Sequence, residues 1–252
     1  MNGVKIFDDV SKLMNAAARD FVDQANKAIV TNGGFSVALS GGSTPRELYT
    51  LLASAKYAER IDWSRVHVFW GDERCVLPDH IESNYRMARE TLLEHVPLPS
   101  GNIHRIHGEM DPEAAAAEYQ RELCAFFDGD TDDHECSPRF DLVLLGMGDD
   151  GHTASLFPET AALREASQYV IANYIDKLHS WRITLTPMAI NAAANIMFLV
   201  AGTGKSSRLH QILNGPYQPG RLPAQIIQPE DGNLSWFVDA AALYGNERER
   251  NQ

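Results

Sequence analysis

The sequence predicts an α/β fold: an open, mainly parallel sheet with helices on both faces, and a small antiparallel sub-lobe. Three observations carry this. Short apolar runs alternate with stretches of helical apolar spacing, the pattern of βαβ units. Two late runs lack a helical stretch between them, which suits an antiparallel pair. Four of the apolar runs lead straight into polar or Gly-rich segments, as strand ends in such sheets do.

Taken in order, residues 8–31 place Val10, Leu13, Met14, Ala17, Phe21, Ala25 and Ala28 at helical spacing, and Asn32-Gly33-Gly34 ends that helix. Phe35–Leu39 is a buried strand. Ser40–Thr44 is a turn, and Pro45 suits the first position of the next helix. Val66–Trp70 is a strand with Gly71–Arg74 as its loop, and Asn84–His95 is a helix. Ile103–Ile106 reads as a short strand and Pro112–Phe127 as an amphipathic helix. Phe140–Leu145 is a strand. Tyr169–Ile175 and Arg182–Thr186 form the antiparallel pair. Asn195–Ala201 is a strand, Gly202–Lys205 opens a helix to Leu213, and Leu234–Asp239 is the last strand. Residues 128–138 are acidic and loop-like, but they lack the ligand spacing of a calcium-binding EF-hand loop. No repeat or long linker divides the chain, so residues 1–252 are read as one domain.

Bulk composition sets limits. The 252 residues are 44% hydrophobic and 22% charged, an ordinary globular balance. A net charge of −12 argues against nucleic-acid binding, which needs a basic face, but not against a small anion held by a local cluster. The three cysteines, Cys75, Cys124 and Cys136, show neither zinc-ligand spacing nor a disulfide framework, which favours a reducing compartment. The N-terminus has no basic start followed by an apolar core, and no run approaches the roughly 18 apolar residues of a membrane span. The expectation is a cytoplasmic protein that uses neither membrane nor nucleic acid, as a monomer or small homo-oligomer.

The four segments Ser40–Thr44, Gly71–Arg74, Gly146–Thr153 and Gly202–Lys205 each follow a predicted strand. Ligands of open α/β sheets bind outside the carboxyl ends of the strands, so the four should meet in one crevice. In Ser40-Gly41-Gly42-Ser43-Thr44-Pro45 the glycines allow a ligand to approach the backbone, and the helix N-terminus behind them favours an anion. The competing reading is a plain turn with Ser or Thr as helix cap. Gly202-Thr-Gly-Lys205 is not a P-loop, since its first glycine is replaced by Leu199. A cation is badly placed at a helix N-terminus, so Lys205 either serves an anionic ligand or is merely solvated. Arg74 either holds a phosphate or carboxyl oxygen or pairs with an acidic neighbour. His152 follows Asp149-Asp150-Gly151 in a Gly-rich loop. It is a candidate general base with a carboxylate to orient it, against the alternative of a structural histidine. There is no His/Cys cluster of metal-site spacing and no Gly-x-Ser-x-Gly elbow.

The segments Ser40–Pro45, Trp70-Gly-Asp-Glu-Arg74, Ser83-Asn-Tyr85, Leu145-Gly-Met-Gly-Asp-Asp-Gly-His-Thr-Ala-Ser-Leu-Phe-Pro158, Gly202–Lys205 and Trp236-Phe-Val-Asp239 occur in that order. Together they closely resemble the 6-phosphogluconolactonase family, over about residues 35–242. That family shares a sugar-phosphate fold with the glucosamine-6-phosphate deaminases. The deaminases typically carry Ala-Phe-Asn-Glu-Pro after the His, where this chain has Thr153-Ala-Ser-Leu-Phe-Pro158, and Asp-Glu-Tyr where it has Asp72-Glu-Arg74. Both departures favour the lactonase. The Pro after Arg74 stands one place later than is usual in the family. The resemblance implies hydrolysis of 6-phospho-D-glucono-1,5-lactone to 6-phospho-D-gluconate, a step of the oxidative pentose phosphate pathway, with no cofactor and no metal. His152 would activate water, Asp150 would orient it, and Arg74 or loop N–H groups would meet the oxyanion. Gly41, Gly42, Ser43, Thr44, Arg74 and Lys205 would bind the phosphate. A deaminase-like enzyme and a non-catalytic sugar-phosphate sensor are the alternatives.

Overall fold

The computed structural model describes residues 3–128 and 136–245. The chain begins with strand β1 (Val4–Phe7) and a long helix, α1 (Val10–Asn32). Asp9 caps α1 by accepting the Lys12 N–H at 2.8 Å. Gly33 closes it at φ 84°, a left-handed conformation that costs glycine little. Then come β2 (Phe35–Leu39), α2 (Ser43–Leu52), the single turn α3 (Ala55–Ala58), β3 (Val66–Trp70), β4 (Asp72–Arg74), α4 (Asn84–Thr91) and α5 (Pro112–Asp128). The second half holds β5 (Leu142–Leu145), β6 (Val170–Ile175), β7 (Ser180–Leu185), α6 (Pro187–Asn191), β8 (Asn195–Val200), α7 (Ser206–Asn214), β9 (Asn233–Asp239) and α8 (Ala240–Tyr244).

Six strands form one sheet in the order β1-β9-β8-β5-β2-β3, every neighbour parallel. All residues of β2 and β5 are buried. Side chains of a strand alternate between faces, so both faces of the sheet are covered. Phe21 of α1 meets Phe35 of β2 edge-on, and Phe198 stacks flat on Trp236, its register partner across β8 and β9. Each such ring contributes about 1.5–3 kcal/mol by leaving water. From β2 the chain goes to β3 on one side, whereas β5, β8 and β9 lie on the other. The order reverses between β2 and β5, and a crevice opens outside the strand ends at such a point.

Two tyrosines secure this edge. The Tyr49 hydroxyl, from α2, accepts the Ser40 N–H at 2.9 Å and donates to the Ser40 carbonyl at 2.8 Å. The Tyr119 hydroxyl, from α5, does the same for Trp70, at 2.9 Å and 3.0 Å. Both side chains are buried. Where β2 and β3 end inside the protein, a phenol thus completes the backbone pairing that a strand would otherwise supply.

Four expectations need correction. Gly71–Arg74 is not simply a loop. Asp72–Arg74 forms β4, which joins β7 and β6 in a three-stranded antiparallel sheet. Three charged residues carry little strand propensity, and pairing with β7 decides their conformation. Ile103–Ile106 forms only a single bridge, Val68 to Ile103, rather than a strand. The helix from Asn84 stops at Thr91, followed by a 3₁₀ turn, Leu93–His95. Val96 precedes Pro97 and is extended, as the proline ring requires of its neighbour. Lastly, Cys124 and Cys136 form a disulfide with Cα atoms 5.2 Å apart. Sequence spacing cannot reveal that Cys136 lies beside Cys124 of α5, and the cysteines no longer argue for a reducing compartment. Cys75 is free, and burial pushes its thiol up to about 11, which makes it a poor nucleophile. Most of the acidic stretch 128–138 lies outside the described residues. No helix among the described residues is long and apolar enough to cross a membrane.

Tyr119→Phe leaves the buried Trp70 N–H and carbonyl unpaired while changing little else. A loss of about 1–3 kcal/mol in urea unfolding is expected. An unchanged midpoint would show that the tie is dispensable.

Candidate active site

The loops after β2, β5 and β8 meet strand β4 at the reversal point around a cavity of about 190 Å³. Gly41, Gly42, Ser43, Thr44, Arg74, His152 and Lys205 all line it, so the crevice expected from chain order exists. A second cavity, of about 370 Å³, shares Asp72, Arg74, His152 and Ala154 with the first and adds Asp150, Lys177 and Arg182. His152 stands between the two.

The β2 loop is built for close approach. Gly42, at φ 104°, is the N-cap of α2 and makes no side-chain capping bond, so neither Ser43 nor Thr44 caps the helix. The plain-cap reading of this loop therefore fails. A Cβ at Gly41 would collide with the Asn84 carboxamide, which packs directly on the loop. Asn84 is itself fixed by donating to the Asp72 carbonyl at 2.8 Å. The first N–H groups of α2 have no partner within the helix and suit an anion.

Gly146–Thr153 wraps around its own histidine. Gly151 sits at φ 85°, and a Cβ at Gly148 would strike the imidazole. His152 Nδ1 lies 2.5 Å from Asp150 Oδ1, which also accepts the His152 backbone N–H at 3.1 Å. A carboxylate can only accept, so Nδ1 carries the proton and Nε2 is left with a lone pair. Phe157 stacks on the ring at 4.1 Å. Burial is the main reason the imidazole is pushed down to about 4. Asp72 and Asp149 oppose this, and Lys205 and Arg74 add to it. The ring is neutral at physiological pH, the state a general base needs.

Lys205 Nζ pairs with the exposed Asp149 carboxylate at 2.5 Å and holds that group below its ordinary value. Lys205 thus has an acidic partner from the His152 loop, and three donors with which to serve a ligand as well. Among the described residues no carboxylate pairs with the Arg74 guanidinium. Arg74 Nη1 instead donates to the Glu82 carbonyl at 2.5 Å, and its buried Nε has no partner. The local salt bridge weighed from sequence is absent.

Several cavity residues escaped the sequence reading. Arg182 is the register partner of Arg74 across β4 and β7. Burial and then Arg74 lower its guanidinium from the ordinary value, so two cations share one side of the cavity. Buried Asp72 accepts Ser155 Oγ at 2.7 Å and exerts the largest charge effect on His152. Lys177 contacts Asp150 Oδ2. Asp72 and Asn84 lay inside motifs already singled out. Arg182 and Lys177 carry no local signal and arrive through the antiparallel hairpin.

Fold and cavity define a class: an open parallel α/β protein that holds a His–Asp pair and an anion-suited loop at the point where strand order reverses. The family model for glucosamine-6-phosphate isomerases/6-phosphogluconolactonase matches residues 8–236, and the chain belongs to that family. It is 40% identical over 240 residues to the 6-phosphogluconolactonase of Nostoc sp., covering 95% of this chain and 96% of the relative. It is 44% identical over 217 residues to that of Synechocystis sp., with 86% of each covered. The solved 6-phosphogluconolactonase of Thermotoga maritima superposes with a TM-score of 0.78 at 30% identity, over 94% of this chain and 99% of that one. A monomeric glucosamine-6-phosphate deaminase has a TM-score of 0.78 at 19% identity, over 95% and 98% of the two chains, and shares the fold.

Because the folded value of His152 lies below the ordinary 6.5, the unfolded chain binds the extra proton first as pH falls from 6.5 toward 4. Across that window His152 subtracts stability. NMR titration of the free protein should find its imidazole neutral at about pH 5.5; a midpoint near 6.5 would mean that the ring is solvated.

Proposed function

We propose that this protein hydrolyses 6-phospho-D-glucono-1,5-lactone to 6-phospho-D-gluconate, with His152 as general base. The observation that carries the reading is the neutral, Asp150-oriented imidazole standing between an anion-suited loop and a pair of arginines, in a chain whose relatives are named 6-phosphogluconolactonases.

Nε2 of His152 takes a proton from water as the water oxygen bonds to the lactone carbonyl carbon. Asp150 stabilises the imidazolium through Nδ1–H. Charge on the former carbonyl oxygen is met by Arg74 or by loop N–H groups. The carbon–ring-oxygen bond then breaks, and the imidazolium returns its proton to the departing oxygen. The carboxylic acid formed ionises, so each turnover releases one proton to solvent. The phosphate is held by the loop that leads into α2 (Gly41, Gly42, Ser43 and Thr44), with Lys205 and Arg74 at the same cavity. Arg182, beside Arg74, adds positive charge. Nothing in this sequence of steps requires a metal or cofactor.

Acid release from freshly prepared lactone tests the reading. Wild type should release it well above the spontaneous rate, and His152→Ala should lower kcat/KM by about 10²–10⁴-fold. Equal rates would remove His152 as base. Ammonia from glucosamine-6-phosphate in place of acid from the lactone would make the protein a deaminase, and binding without turnover would make it a sensor.

A further inference from the structure

The hairpin joining β6 to β7 turns through the 3₁₀ segment Asp176–Leu178 and then His179, at φ 46°. That left-handed conformation, uncommon for a residue other than glycine, closes the turn into β7. That tip carries Lys177 to the rim of the second cavity, where its ammonium makes two contacts. It bonds Asp150 Oδ2, the oxygen that His152 does not use. It also lies 4.7 Å from the centre of the Phe157 ring, the ring that stacks on His152. One cation therefore touches both supports of the imidazole, the carboxylate behind Nδ1 and the aromatic face beside it.

As a surface ion pair this contact would be worth little. The Lys177 side chain is 51% exposed, and such pairs contribute about 0–1 kcal/mol to stability. Its leverage falls on orientation and charge instead. The terminal torsion of an aspartate is broad, so a carboxylate held through one oxygen is free to swing. Held through both, it presents Oδ1 to the imidazole at a fixed angle.

We propose that Lys177 is a positioning residue for the Asp150–His152 pair: it fixes the Asp150 carboxylate and draws part of its charge away from the ring. This rests on the general-base reading of His152. The charges facing that ring are Asp149 and Asp150 on its own loop, Asp72 and Arg74 on β4, Arg182 on β7, Lys205 after β8, and Lys177 on the hairpin. Removing Lys177 subtracts a cation and leaves every carboxylate. The imidazolium then gains and Asp150 loses its second anchor. The ring should titrate higher, and its lone pair should be held less firmly toward the water it activates.

Two variants separate charge from packing. Lys177→Met keeps an apolar stem over Phe157 without the charge, and Lys177→Arg keeps the charge. NMR titration of the substrate-free proteins should place the His152 midpoint about one unit higher in Lys177→Met and near wild type in Lys177→Arg. With the lactone, kcat should fall about tenfold in Lys177→Met because the imidazole loses its fixed orientation, at nearly constant KM, and recover in Lys177→Arg. An unmoved midpoint with unmoved kcat would overturn the proposal. So would a rise in KM alone, which would make Lys177 a substrate contact, or equal impairment of both variants. The titration needs no substrate. A shifted midpoint in a protein that releases no acid would sink the lactonase reading and leave the positioning role standing.

Discussion

A parallel strand that ends in the interior leaves an N–H and a carbonyl that no neighbouring strand reaches, and the site depends on how those groups are paired. At the ends of β2 and β3 the hydroxyls of Tyr49 and Tyr119 pair them. Each phenol comes from a helix packed on the sheet and is both acceptor and donor. The chain can therefore leave the sheet in a sharp turn, with no further strand needed to cover its end. That freedom puts Ser40–Thr44 and Asp72–Arg74 beside one cavity. Burial drives both hydroxyls well away from ionisation, which keeps each able to donate.

Charge at this edge runs against the charge of the whole. The chain carries −12, yet Arg74, Lys177, Arg182 and Lys205 gather around the two adjoining cavities. Short loops at the reversal of strand order bring cations from β4, the hairpin, β7 and the turn after β8 into range of one another. Like charges held close are unfavourable in the empty protein, and an anionic ligand relieves this. Burial, with Lys205 and Arg74 of this group, keeps His152 neutral. Lys205 and Arg74 thus both shape the field of the cavity and hold the imidazole in its neutral form.

The small antiparallel sheet belongs to the site more than to the scaffold. β4 brings Asp72 and Arg74 out of the main sheet, β7 sets Arg182 opposite Arg74, and the β6–β7 turn delivers Lys177 to Asp150. Few of these positions could be read from the sequence. Asp72-Glu-Arg74 looks like a loop because charged residues seldom choose a strand alone. The pairing of Arg182 with Arg74 depends on a register set more than a hundred residues along the chain. The Cys124–Cys136 bond escaped for a related reason, since its geometry depends on where α5 sends the chain.

The sequence alone determined what is local or repetitive. The period of the apolar residues marked α1, α5 and the core strands. The glycines of Ser40–Thr44 and Gly146–Thr153 marked backbone that must turn tightly or admit close contact, and chain order placed those loops at one edge. Those features are legible because they follow from short-range sterics and from the burial of one face or two. Tertiary structure decided which charges meet. The neutral state of His152, the bond from Arg74 to the Glu82 carbonyl, the pairing of Lys205 with Asp149, and the contact of Lys177 with Asp150 all arise from distances between separate elements. Electrostatic energy depends on separation in space and on exclusion of water, and sequence spacing encodes neither.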